Sequence, residues 1–149
     1  MARAGRILHA TLERMREIIR PGMSTEDLDA EAERFIRSHP GALPSFKGLY
    51  GFPKTLCISI DEEIVHGIPS PRRILAEGPI VSVDCGVCIE GLHADSATTM
   101  PVGEITAEAQ RLLDVTQESL VAGIAACTVG HQVGDIGHAV QTVAEAAGF

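Results

Sequence analysis

The feature that most constrains this chain is a pair of predicted strands, the first beginning with the apolar run Ile80-Val81-Ser82-Val83, separated by only two residues. The first segment runs over residues 80–89 and the second over residues 92–99, with Glu90-Gly91 between them. This spacing is typical of an antiparallel β-hairpin whose two-residue turn uses the freedom of glycine to adopt a positive φ. The sequence therefore predicts a sheet built around this hairpin, with Ile89 facing Leu92.

The same register brings two aspartates together. With Ile89 opposite Leu92, Asp84 faces Ala97, and Asp95 is the diagonal neighbour of Asp84 on one face of the hairpin. Backbones of diagonal neighbours lie about 7–8 Å apart, so the carboxylates can share one ion or bracket two ions about 3.5–4 Å apart. A three-residue loop would place them on opposite faces. The alternative is a pair of exposed strand residues, but an unpaired carboxylate ending a β-branched run is costly to desolvate, and a cation removes that cost.

The remaining elements alternate helices with short strands, without any linker that divides the chain. A first helix covers residues 2–19, and Ser24 with Asp27 forms an N-cap arrangement for a second helix that ends near Ser38. Further strands are predicted at 55–60 and 63–66. Thr106 caps a third helix to Ala126, and Asp135 caps a fourth to Ala147, with Gly148 in a C-cap position.

A weak internal repeat supports this plan. Gly22 and Asp27 recur 108 positions later as Gly130 and Asp135, and apolar positions follow both pairs. Each copy lies at the start of a helix that follows another helix. Because the sheet with the two aspartates follows only the first copy, the repeat predicts a second half-sheet beyond Phe149.

Composition limits the classes of function. The 149 residues are 45% hydrophobic, and the formal net charge of −8 leaves no basic surface for nucleic acid. Neither an export signal nor a membrane-spanning run is visible, so we expect a cytoplasmic protein with free thiols. Cys85 and Cys88 form a C-x-x-C motif, but residues three apart in a strand point to opposite faces and cannot share an ion. His131 and His138 are expected to be solvated.

Six short segments, in this order along the chain, carry a resemblance to a known family. They are Ser45-Phe46-Lys47-Gly48, Gly51-Phe52-Pro53, Cys57-Ile58-Ser59-Ile60, Val65-His66-Gly67-Ile68-Pro69, Val83-Asp84 and Gly91-Leu92-His93-Ala94-Asp95-Ser96. In these segments the chain resembles the type I methionine aminopeptidases over essentially its whole length. The His-Gly-Ile-Pro segment together with the two aspartates distinguishes this group within the wider creatinase and aminopeptidase P superfamily.

The resemblance implies an α+β fold, the pita-bread fold. Residues 1–149 would form a single, partial catalytic domain: the N-terminal half with its antiparallel sheet, plus the first helices of the second half. The implied activity is removal of the initiator methionine from nascent proteins by attack of a metal-activated water on the first peptide bond. Two divalent ions (Co, Mn, Fe or Zn) are the implied cofactors, and nascent N-termini beginning with Met are the implied partners of a protein that is monomeric when complete.

The resemblance also assigns roles to individual residues. Asp84 would chelate one metal ion and Asp95 would bridge both, while His66 would contact the scissile amide. Cys57 and Phe52 would line the pocket for the methionine side chain, although plain core packing would also explain them. Leu49 stands where many family members carry an aromatic residue, which affects fine selectivity. His93, on the same strand face as Asp95, is either a partner of the metal ligands or an ordinary polar strand residue.

The family site also requires a further histidine ligand, two glutamate ligands and a second catalytic histidine, all at positions beyond Phe149. We therefore expect the chain to be a fragment, truncated at its C-terminus and slightly at its N-terminus, with little activity by itself. The alternative is a non-catalytic half-domain that keeps the scaffold and binds a partner through its exposed sheet edge. Bound metal per purified chain would distinguish the two.

Overall fold

The computed structural model describes all residues 1–149, which divide into two compact units, Met1–Ile105 and Thr106–Phe149. The first unit contains helices α1 (Ala2–Ile18) and α2 (Thr25–Arg37), strands β1 (Ala42–Pro44), β2 (Leu56–Ile60), β3 (Ile80–Ile89) and β4 (Leu92–Pro101), and a short 3₁₀ turn at Leu49–Gly51. The second unit contains helices α3 (Ala107–Ala126) and α4 (Val133–Ala146). No helix of the chain combines the length and the apolar character that crossing a bilayer requires.

The sheet of the first unit is antiparallel and is organised around β3. Strands β1 and β2 pair with successive parts of β3, and β4 pairs with β3 along its whole length. The connection from β3 to β4 is the predicted two-residue turn, in which Glu90 and Gly91 both have positive φ, 54° and 74°. Ile89 faces Leu92, so the predicted register is confirmed.

Helices α1 and α2 pack on one face of this sheet. Alternate residues of β3, including Val81, Val83 and Val87, are fully buried in the core with Met15 of α1 and Leu28 of α2. Because side chains alternate along a strand, Asp84 points to the opposite face. The sheet therefore has an apolar face covered by helices and a second face that carries the polar residues.

The helix boundaries follow from local capping. Ser24 and Asp27 form a reciprocal capping box at the start of α2, as predicted, and Thr106 Oγ1 accepts a hydrogen bond from Ala109 N at 3.1 Å at the start of α3. The prediction that Asp135 caps α4 was wrong by three residues. The N-cap is Gln132, whose backbone N–H donates to Asp135 Oδ2 at 2.7 Å.

One predicted strand is absent from the structure, and one observed strand was not predicted. Residues 63–66 form no strand, because Asp61 and His66 adopt left-handed conformations, with φ of 50° and 61°, that interrupt an extended chain. The β-branched residues Ile64 and Val65, which suggested a strand, are exposed instead. Strand β1 was missed because its three residues carry no periodic pattern, and it exists through its pairing with the end of β3.

Candidate metal centre and adjoining pocket

Asp84 and Asp95 lie on the same face of the hairpin, as the register predicts. Asp84 is paired with Ala97 and Asp95 with Gly86, so the two aspartates are diagonal neighbours on adjacent strands. Both line one pocket of about 590 Å³, on the face of the sheet opposite the helices. The hairpin therefore brings two carboxylates to the wall of a concave site.

Burial and the neighbouring carboxylate of Asp95 together change the acidity of Asp84. Burial, and after it the negative charge of Asp95, raises the pKa of Asp84 to about 6. His66 acts on the pKa of Asp84 in the opposite direction, so its imidazole lies close enough to influence this carboxyl group. A partly buried pair of like charges is unfavourable, and either a shared proton or a cation relieves it.

The donor set fits a divalent cation held by carboxylate oxygens. Asp84 and Asp95 supply hard oxygen donors from two paired strands. A bound cation would remove the repulsion between the two carboxylates. The chain brings together no group of three or more His, Cys, Asp and Glu side chains that could hold an ion. The two aspartates thus provide part of a coordination shell rather than a complete one.

His66 lies on the irregular loop that follows β2 and lines the same pocket. The next residue, Gly67, donates to Ser59 Oγ at 3.2 Å and accepts from Ile58 N at 2.8 Å. A side chain at Gly67 would collide with the carbonyl oxygen of Ile58. Glycine is therefore required there for the loop to lie against β2, and this contact brings the exposed His66 to the site.

Cys57 and Phe52 also line this pocket. Cys57 is directly opposite Asp84 in the β2–β3 ladder and is 7% exposed. Burial, followed by the charges of the two aspartates, raises the pKa of its thiol to about 11, so the sulfur is a neutral, soft surface at neutral pH. Such a surface, together with a phenyl ring, suits an unbranched apolar side chain.

The remaining candidates lie elsewhere. Cys85 is buried in the core, where desolvation raises the pKa of its thiol. Cys88 points to the opposite face of the sheet. All four cysteines are free thiols. His131 and His138 are exposed, as predicted. His93 is not among the residues that line the pocket, and its Nδ1 lies 2.9 Å from Ser45 Oγ.

The sequence alone assigned no role to five residues of the pocket wall, which are Phe46, Tyr50, Gly51, Pro53 and Ile68. The ring of Tyr50 is fully exposed on a backbone with φ of 49°. Glycines at 48 and 51 flank this turn and both have positive φ. Their spacing was the available signal for a tight loop, but it does not show what the loop encloses.

The whole chain, residues 1–149, matches metallopeptidase family M24. It is 48% identical over 149 residues to a methionine aminopeptidase of Clostridium perfringens, covering all of this chain and 59% of that protein. It is also 48% identical over 145 residues to methionine aminopeptidase 1 of Bacillus subtilis, covering 97% of this chain and 58% of that protein. The structure superposes on methionine aminopeptidase from Thermotoga maritima with a TM-score of 0.96 and 34% identity, covering 99% of this chain and 59% of that one.

The family match, together with an antiparallel sheet that brings two aspartates into one pocket, defines a metallopeptidase scaffold. The chain belongs to metallopeptidase family M24, and its fold is the predicted pita-bread fold. The predicted resemblance to methionine aminopeptidases is confirmed. The chain spans about three fifths of the length of the curated relatives it matches.

Proposed function

We propose that this chain forms part of the catalytic domain of a metal-dependent aminopeptidase that removes N-terminal methionine. The observation that carries the proposal is the convergence of Asp84 and Asp95 in one pocket with His66 and Cys57. This pocket combines an anionic end, which can hold cations, with an apolar wall. The similarity to methionine aminopeptidases extends over the whole chain and supports the same reading.

The role proposed for each residue follows from the chemistry of its side chain. Two divalent ions, of Co, Mn, Fe or Zn, would supply an activated water and polarise the scissile carbonyl when bound. Asp84 would hold one ion and Asp95 would bridge both. His66, whose imidazole reaches the same pocket, would donate a hydrogen bond to the scissile amide or to the oxyanion that forms from it.

The apolar wall would select the first residue of the substrate. The Cys57 thiol and the Phe52 ring would contact an unbranched thioether side chain, and the aspartate end would receive the free amine through the bound ions. The substrates would be nascent polypeptides that begin with Met, and the protein would act as a cytoplasmic monomer. The resemblance implies a further histidine and two glutamate ligands at positions beyond residue 149.

The first test is metal stoichiometry, measured on the purified complete protein by elemental analysis after equilibration with Mn²⁺ or Co²⁺. A complete centre retains at least one ion per chain through gel filtration, whereas two aspartates without further ligands lose it. Firm binding supports the aminopeptidase. Loss of all metal, without hydrolysis of a Met-Ala peptide, would favour a half-domain that binds a partner.

The second test is Asp95→Asn, which removes the charge of the proposed bridging ligand and keeps its shape. In the protein with a complete centre, we expect hydrolysis of a Met-Ala peptide to fall by about 100-fold or more, in line with the contribution of metal catalysis. Asp114→Asn, on the exposed surface of α3, is the matched control. Near-normal turnover by Asp95→Asn would refute the assignment of the metal site.

A further inference from the structure

Phe46 forms one wall of the pocket, and it is placed by contacts with both strands of the hairpin. Ser45, directly after β1, donates its backbone N–H to the carbonyl oxygen of Gly86 on β3 at 2.9 Å. A Cβ at Gly86 would lie 2.7 Å from both Ser45 Cβ and Phe46 Cε1. The absence of a side chain at Gly86 therefore allows Phe46 to lie on the sheet beside Asp95, the residue paired with Gly86.

A second contact reaches β4. Ser45 Oγ and His93 Nδ1 are 2.9 Å apart, and His93 precedes Asp95 by two residues on the same face of β4. The chain then continues through hydrogen-bonded turns, with Leu49 N donating to Phe46 O at 2.9 Å and Gly48 N donating to Phe52 O at 2.8 Å. The Ser45–His93 hydrogen bond thus connects the loop of residues 46–52, which forms part of the pocket wall, to β4, the strand that carries Asp95.

We infer that His93 is a positioning residue: through Ser45 it fixes Phe46 and the loop behind it relative to Asp95, and so sets the width of the pocket for the first substrate side chain. The effect on a substrate rests on the proposed function. The positioning of Phe46 by His93 does not depend on it. His93 does not itself line the pocket, and it acts only through the hydrogen bond to Ser45.

The first experiment measures the position of Phe46 without using activity. Cys57 lines the same pocket and is nearly buried, whereas Cys127 is exposed and serves as an internal reference. We expect His93→Ala and Ser45→Ala each to increase the rate of Cys57 alkylation by N-ethylmaleimide, relative to Cys127, by about 3- to 10-fold, the net value of one hydrogen bond. The double variant should equal either single variant, since both remove the same bond.

Two further variants separate positioning from general loosening. In His93→Asn the amide can occupy the place of Nδ1, so we expect alkylation of Cys57 to return close to the original rate. Gly86→Ala forces Phe46 away and should increase the rate, whereas Gly5→Ala has no atom within 4 Å of the added methyl group and should not. Equal alkylation rates in His93→Ala and the unmodified protein would overturn the inference.

The second experiment uses the peptidase activity of the complete protein on a Met-Ala peptide. A displaced pocket wall weakens substrate binding, so His93→Ala should raise KM by about 3- to 10-fold with little change in kcat, and His93→Asn should restore KM. A fall in kcat with unchanged KM would overturn the positioning role. If the unmodified protein hydrolyses no peptide but Cys57 responds as expected, the proposed function fails while the positioning of Phe46 is supported.

Discussion

The helix pairs α1–α2 and α3–α4 share the same local signals but differ in what they bury. Gly22 and Gly130, in the two connections, have positive φ of 86° and 97°. Asp27 and Asp135 each accept a hydrogen bond from an N-cap backbone N–H, at 3.0 and 2.7 Å. The first pair nevertheless buries apolar side chains along both helices, whereas α3 buries only Ser119 and Gly123 and α4 buries none.

This difference shows that local sequence decides where a helix begins and ends, while burial depends on a packing partner. The first pair packs against the sheet, and each fully buried aliphatic side chain there contributes about 1.5–3 kcal/mol. In the second unit Leu120, Val121 and Ile124 remain more than half exposed. Its helices are held by their caps and by contacts between α3 and α4, such as that of Val140 with Gly123.

The largest expected difference between the two pairs is the cost of truncating an equivalent apolar residue. Leu28 of α2 is fully buried, and its repeat counterpart Ile136 of α4 is only partly buried. We expect Leu28→Ala to cost about 2–5 kcal/mol, because it leaves a cavity in the core. Ile136→Ala should cost about 1 kcal/mol, because its surroundings are already partly solvated.

Native-state hydrogen exchange of amides in α2 and α4 measures the two costs separately, since each helix reports on its own unit. Equal losses of protection would contradict the comparison. They would mean that the exposed side chains of α4 contribute as much to stability as the core of the first unit.

A smaller effect is expected where the two helices of the second pair meet. A Cβ at Gly123 would lie 2.8 Å from Val140 Cγ2, whereas one at Gly137 would meet nothing within 4 Å. Gly123→Ala should therefore destabilise the pair by about 1 kcal/mol, since overpacking outweighs the gain in helix propensity. Gly137→Ala should stabilise it by about 0.5–1 kcal/mol.

Thermal unfolding of the two glycine variants, followed by circular dichroism, gives the sign of each change. If Gly123→Ala stabilises the protein as much as Gly137→Ala does, then α3 and α4 do not pack closely at this point. The second pair would then depend on its caps alone.

The predictable part of the fold is the part that neighbouring residues determine. The turn at Glu90-Gly91 fixed the hairpin register, and Ser24 with Asp27 fixed the start of α2. The predicted strand at 63–66 failed because the packing of Gly67 against Ile58 imposes a loop on residues whose intrinsic preference is extended. The placement of the fourth helix failed because Asp135 acts from the third helical position and not from the N-cap.

The site shows the same division. The convergence of Asp84 and Asp95 was predictable, because it depends on the hairpin register alone. The pocket wall was predictable only in part. Phe46 lies in the wall because Gly86 has no side chain to block it, and Tyr50 lies there because its backbone is left-handed. The contact of Phe46 with Gly86 joins segments that are distant in sequence, and no periodic pattern reports it. The turn at Tyr50 is local, but its sequence does not show which side chains it faces.

The N-caps of α2 and α4 are expected to contribute differently to the free energy of unfolding. Ser24 Oγ accepts a hydrogen bond from Asp27 N at 3.1 Å and donates one to Asp27 Oδ2 at 2.7 Å. We expect Ser24→Ala to cost about 1 kcal/mol in urea-induced unfolding. Gln132→Ala, at the start of α4, should change stability by only a few tenths of a kcal/mol, about the size of a solvent-exposed substitution, because its backbone N–H still donates to Asp135. Similar costs at both caps would show that the Gln132 side chain also takes part in capping.

The smallest effect is the pH dependence of the Ser24 cap. The hydroxyl and the backbone N–H of Ser24 hold the pKa of Asp27 below its ordinary value of 3.8. A carboxylate with a lowered pKa contributes stability that is complete above the unfolded pKa and is lost as the pH falls through the folded one. Ser24→Ala removes the hydroxyl and moves the folded pKa back towards the ordinary value, so its cost should be largest near pH 5 and shrink towards pH 3.

Ser38→Ala at the other end of α2 is the control for this titration. The Ser38 hydroxyl donates to the carbonyl oxygen of Phe35 at 2.7 Å and contacts no carboxylate, so its cost should stay constant between pH 3 and pH 5. Urea unfolding at several pH values in this range measures both variants against the unmodified protein. A Ser24→Ala cost that does not change with pH would show that the carboxylate of Asp27 adds nothing to the cap. The start of α2 would then be held only by the bond from Asp27 N to the serine hydroxyl.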